Sequence, residues 1–73
     1  MYLKRLKDLR EDIDEKQITI AKFLGITRQQ YSLYETGKRD IPAEYIRELA
    51  TFYNTSTDYI LELTNKLEPY DKN

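Results

Sequence analysis

Leu3, Leu6, Leu9, Arg10 and Ile13 recur at spacings of three and four residues, which puts them on one face of a first helix over roughly residues 2–12. Asp12 to Lys16 is a charged stretch and predicts a turn. Ile20, Ala21 and Leu24 mark a short second helix, ended by Gly25, a residue that enters the left-handed conformation at little cost. Thr27 stands where an N-cap belongs and Gln30 follows three residues later, so a T-x-x-Q capping box opens a third helix. That helix turns Tyr31 and Tyr34 inward and stops near Gly37, before a polar loop over residues 37–41. Pro42 suits the first position of a fourth helix, whose stripe is Ile46, Leu49, Ala50 and Tyr53 and whose left-handed cap is Asn54. Thr55 or Ser56 caps a short fifth helix carrying Tyr59, Ile60 and Leu63, with Asp58 placed to suit the helix dipole. Beyond Thr64 the chain is polar and predicts a frayed tail.

The pattern therefore predicts an all-α, compact five-helix bundle over residues 1–64, followed by a polar tail over 65–73. No alternation is long enough for a strand. Seventy-three residues make one small domain, which buries only about 60% of its unfolded surface and must live on close helix packing or on a partner. The seven tyrosines fit that need, and Tyr31, Tyr34, Tyr45, Tyr53 and Tyr59 fall at positions facing or flanking the core. Stacking on single-stranded nucleic acid is the competing use of such residues.

Composition narrows the chemistry. There is no Cys, so no disulfide, thiolate nucleophile or Cys-based zinc site, and no His, the commonest general base and metal ligand. Asp8, Glu11, Asp12, Asp14 and Glu15 read as a solvated face and turn rather than a metal or acid–base cluster. No enzyme activity, cofactor or metal is expected. No apolar run approaches the ~20 residues that span a bilayer, and no secretion signal opens the chain, so a cytoplasmic protein without membrane contact is expected.

Residues 17–36 set two short helices about a tight turn at Gly25, with Ala21 small where the helices must cross. Ile20, Leu24, Ile26, Tyr31 and Tyr34 supply apolar contacts on both sides, the requirement of a helix-turn-helix whose second helix can enter a major groove. The stretch from Gln17 to Arg39 (QITIAKFLGITRQQYSLYETGKR) resembles the phage repressor and Cro type of helix-turn-helix, the XRE family. The likeness runs from about Leu6 to Leu61 and includes Leu49-Ala50 and the Ser-Thr-Asp-Tyr-Ile-Leu ending at Leu61.

The resemblance implies a sequence-specific, double-stranded DNA-binding transcriptional regulator, a repressor that meets a near-palindromic operator as a homodimer. It implies an ion pair between Arg10, otherwise odd on an apolar face, and Glu35 at the end of the recognition helix. The alternative for Arg10 is a solvated arginine at the edge of the core. The resemblance also puts Thr27, Arg28, Gln29, Ser32 and Leu33 against bases, and Gln17, Gln30, Lys38 and Arg39 against phosphates. Side-chain chemistry agrees, since Arg grips guanine and Gln grips adenine with two hydrogen bonds, while Lys and Arg neutralise the backbone. In isolation, Arg28, Gln29 and Gln30 read as a solvated helix turn, and only the motif around them favours DNA contact. Dimer contacts are expected around Tyr59, Ile60 and Leu63.

Some positions depart from the family pattern. Leu33 replaces a frequent polar residue and either touches a thymine methyl or packs half-exposed. Glu15 stands at a usually apolar position and Lys16 at a usual Ser or Thr cap, for which Ile13 and an Asp14-x-x-Gln17 capping pair can compensate. Tyr31 is larger than the usual aliphatic residue. The same fold also serves as a protein-interaction module, such as an antitoxin with secondary DNA binding. The segment from Asn65 to Asn73 would then carry the extra surface.

Charge first argues against DNA, with a formal net of −1. Its distribution reverses that. Residues 1–39 hold nine basic and six acidic side chains, net +3, and residues 40–73 hold three and seven, net −4. A basic helix-turn-helix with an acidic back predicts weak, salt-sensitive non-specific binding.

Overall fold

Five helices follow one another in the computed structural model, which describes residues 1–70. They are α1 (Lys4–Asp12), α2 (Gln17–Leu24), α3 (Arg28–Glu35), α4 (Ala43–Phe52) and α5 (Thr57–Ile60). Among the described residues there is no strand, and no helix is long and apolar enough to cross a membrane. The expected all-α bundle is what the chain forms.

The core joins all five elements. Leu6 of α1, Ile20 of α2, Tyr31 of α3, Leu49 of α4 and Ile60 of α5 are its largest fully buried side chains. Ala21 is also fully buried, and α2 packs closely on α3 across it. Gly25 makes that hairpin possible with φ 74°, and its N–H donates to the carbonyls of α2. Ile26 then donates to the Ala21 carbonyl at 3.0 Å, closing the turn. Asn54 closes α4 in the same left-handed region, with φ 54°.

Several expectations are corrected at the helix ends. α1 stops at Asp12, so Ile13 leaves the helical face and is 49% exposed. Asp14 takes φ 55° and donates its N–H to Glu11, which makes it part of the exit from α1. It therefore does not cap α2, whose N-cap is Lys16 with no side-chain hydrogen bond. Pro42 sits at the N-cap of α4, one position earlier than expected. Ile41, assigned above to a polar loop, is buried with the core. Of the two candidate caps for α5, Ser56 accepts from the Tyr59 N–H, while Thr55 is buried and donates its hydroxyl to the Leu67 carbonyl.

The C-terminal segment is docked as far as Tyr70. Arg5 reaches across from α1 and donates to the carbonyls of Tyr59 (2.7 Å) and Thr64 (2.6 Å) and to the Asn65 side chain (2.9 Å). Its guanidinium lies 4.1 Å from the centre of the Tyr59 ring, a cation–π contact. The Tyr70 hydroxyl donates to Asp58 at 2.7 Å. The frayed tail is thus corrected over residues 65–70, and residues 71–73 of the predicted tail lie outside the described residues.

Candidate nucleic-acid interface

α3 is amphipathic in a strict sense. Tyr31, Tyr34 and Glu35 are buried, whereas Arg28, Gln29 and Gln30 are exposed and Ser32 and Leu33 are half-buried. Its first turn is held by the predicted box: the Thr27 hydroxyl accepts from the Gln30 N–H at 3.1 Å, and the Gln30 side chain accepts from the Thr27 N–H at 3.2 Å. Gln30 is thereby committed to the cap, and its remaining amide N–H groups alone are free to face a phosphate.

The far end of α3 carries the ion pair. Arg10 grips both carboxylate oxygens of Glu35, with Nε to Oε2 at 3.0 Å and the terminal nitrogen to Oε1 at 2.7 Å. Its other terminal nitrogen donates to the Glu15 carbonyl at 2.9 Å. Glu35 is only 4% exposed. Burial pushes its carboxyl up, but hydrogen bonds led by Arg10 outweigh that and hold it below the usual carboxylate range. The Arg10 guanidinium is raised in turn, chiefly by its hydrogen bond to Glu35. The structure thus brings Arg10 and Glu35 together.

Gln17 links the two ends. Its amide donates to Glu35 at 3.3 Å, and its carbonyl oxygen accepts from Arg28 at 3.3 Å. A single chain of contacts therefore runs from the Arg10–Glu35 pair through Gln17 to the first residue of α3. Arg28 is exposed, with Gln17 of α2 as its hydrogen-bond partner.

Lys38 and Arg39 follow α3 on a loop that is itself fixed. The Arg39 N–H donates to the Leu33 carbonyl at 3.1 Å and the Gly37 N–H to Tyr34 at 3.2 Å. Both basic side chains are exposed, and neither is in an ion pair among the described residues. The structure brings the Gln17 side chain into contact with both Glu35 and Arg28, and places Lys38 and Arg39 past the C-terminal end of α3.

The expected dimer residues separate. Ile60 is fully buried in the core, because α5 must close the bundle with it, and so it offers no surface to a partner. Tyr59 is half-buried under Arg5, and Leu63 is 73% exposed. Sequence reasoning also passed over Tyr2 and Lys7, which line a cleft with Arg10, Gln17, Glu35 and Thr36. The available signal was the spacing of Lys7, one helical turn before Arg10.

The helix-turn-helix family model matches residues 6–60. The chain is 38% identical over 65 residues to the SPbeta prophage-derived uncharacterized HTH-type transcriptional regulator YonR of Bacillus subtilis (strain 168), covering 89% of this chain and 60% of that one. It is 35% identical over 69 residues to the uncharacterized HTH-type transcriptional regulator YobD of the same organism, covering 94% and 62%. The cryptic phage CTXphi transcriptional repressor RstR of Vibrio cholerae is 32% identical over 53 residues, covering 73% and 48%. The chain thus spans about 60% of the length of the first two of these curated relatives. With the matched model running from α1 into α5, this chain belongs to the helix-turn-helix family, of XRE type.

Proposed function

We propose that residues 1–64 bind double-stranded DNA as a transcriptional regulator, acting as a repressor, with the start of α3 in the major groove. One observation carries this reading. α3 buries Tyr31, Tyr34 and Glu35 and leaves Arg28 and Gln29 exposed on a capped first turn, with Arg28 held by Gln17. An exposed Arg–Gln pair at a helix N-terminus is the equipment needed to read guanine and adenine edges. Thr27, Ser32 and Leu33 complete the base-facing set, and Gln17, Gln30, Lys38 and Arg39 fix the register on phosphates. The names of the relatives, transcriptional regulators and a phage repressor, favour the same reading.

The regulator acts as a homodimer on a near-palindromic operator, with half-sites about 34 Å apart. With Ile60 in the core, Leu63 supplies the contact and the edge of Tyr59 flanks it. Leu67 and Tyr70 are further exposed apolar residues on the segment that follows. No observation favours the protein-masking alternative, since residues 65–70 are tied to α5 and to Arg5 rather than standing free.

Selection of bound sites from random duplex DNA, at low and at moderate salt, tests the reading. A two-fold symmetric consensus is expected. No enrichment at low salt overturns DNA binding, and a monomer by light scattering on the selected site overturns the dimer alone.

A further inference from the structure

The cleft between α1 and the end of α3 has a volume of about 380 Å³ and is lined by Tyr2, Lys7, Arg10, Gln17, Glu35 and Thr36. Its polar groups are not equivalent. Arg10 spends its donors on Glu35 and on the Glu15 carbonyl, and the Glu35 charge is answered by that grip. The Thr36 hydroxyl donates to the Ser32 carbonyl at 2.9 Å. Lys7 alone keeps an uncommitted charge. It is exposed, lies on the Arg10 side of α1, and has no acidic partner within 4.0 Å among the described residues. One Gln17 amide N–H and the exposed Tyr2 hydroxyl remain as neutral donors.

The walls are set by backbone. A side chain at Gly37 would come within 2.9 Å of Tyr2, so the chain before α1 lies directly on the turn that ends α3. Gln17, at the opposite rim, is bonded to Arg28. An anion held in the cleft would therefore sit beside the surface assigned to DNA, on the α1 side, where neither Lys38 nor Arg39 is placed by the cleft lining.

We infer that this cleft holds one backbone phosphodiester of the bound duplex, with Lys7 as its cation and Gln17 and Tyr2 as neutral donors. The inference rests on the DNA-binding reading above and adds α1 to the contact surface. An internally neutralised Arg10–Glu35 pair leaves one net positive charge in a polar cleft, the complement of one singly charged oxyanion.

The test is the salt dependence of affinity for a random-sequence duplex, measured for the full chain, for Lys7→Gln, and for Lys66→Gln, which removes the same charge from the C-terminal segment. Each phosphate neutralised contributes a slope of about −0.9 in log affinity against log salt. Lys7→Gln should flatten the slope by about one, so that its deficit shrinks about threefold between about 50 and 200 mM salt. Lys66→Gln should keep the parent slope. Amide shifts of Lys7, Gln17 and Thr36 are followed in parallel, with inorganic phosphate replacing chloride at constant ionic strength, and then with duplex. Shifts with duplex alone mean a site completed by the DNA backbone, and shifts with both mean a site that takes the oxyanion by itself; either supports the cleft. A parent slope in Lys7→Gln overturns the phosphate site and leaves DNA binding intact. A parent chain that binds no duplex at either salt removes both.

Discussion

Glu35 is a carboxylate with almost no access to water, and its energetics follow from that. Replacing it by Ala strands the Arg10 charge, at a cost of about 3–5 kcal/mol, while a double apolar replacement of Arg10 and Glu35 should recover most of the loss. Urea unfolding of the single and double variants checks this; equal losses in both would contradict it. The pH dependence has a definite sign. The folded-state pKa of Glu35 is held below the ordinary 4.5, so between the two values the unfolded chain binds more protons. Its stabilisation is complete above the ordinary value and disappears as pH falls through the folded one. Glu35→Ala should lose that part of the acid sensitivity. At the other end of α3 the predictions concern affinity. Arg28→Ala should cost about 1–3 kcal/mol on the selected site and relax preference at one base pair. Lys38→Ala should weaken all sequences alike and lower the salt slope by about one. Matching behaviour of the two variants on selected and random duplexes would show that base and backbone roles are wrongly divided.

At the scale of elements, what could be read in advance was local chemistry. Thr27 and Gln30 cap each other because both partners lie within one turn, and Gly25 and Asn54 supply left-handed turns because few residues enter that region cheaply. What escaped depended on distant packing. Asp14 resembled a cap for the helix that follows, but its backbone closes the helix before it. Ile41 looked like part of a polar loop until the bundle folded over it. The cleft beside Lys7 needs the chain before α1 to lie on Gly37, a contact across 35 residues that no short spacing announces. The two glycines make a matched pair for a test. Both have positive φ, 74° at Gly25 and 78° at Gly37, but a Cβ at Gly25 meets nothing within 4 Å. Gly25→Ala should therefore cost only left-handed strain, about 1–2 kcal/mol. Gly37→Ala should cost clearly more, because Tyr2 must also move. Equal midpoints in urea would show that the Tyr2 contact is yielding.

For the molecule as a whole, the division of charge matters more than its sum. A basic first half and an acidic second half mean that a polyanion attracts the segment holding α1 to α3 and repels the one holding α4 and α5. The site was legible in the same uneven way as the fold. Arg10 and Glu35 could be paired by resemblance, and Arg28 and Gln29 singled out by position. The withdrawal of Ile60 into the core could not be foreseen, since a four-residue α5 has too few positions to reveal which side faces inward. The apolar spacing around Ile60 serves the bundle, and the exposed surface begins at Leu63.

Arg5 gives the chain the character of a closed ring. One guanidinium fastens residue 5 to acceptors at residues 59, 64 and 65, so α1 is buttoned to α5 and the segment that follows it. Closing so long a loop is entropically more demanding than forming the short α2–α3 hairpin. While this contact holds, α1 and the residues around α5 keep each other in place. Arg5→Ala should turn an all-or-none domain into one that frays from both ends, with faster hydrogen exchange in α1 and α5 together and little change in the α2–α3 hairpin. Acceleration confined to residues 59–65 would mean that the contact is only a local brace.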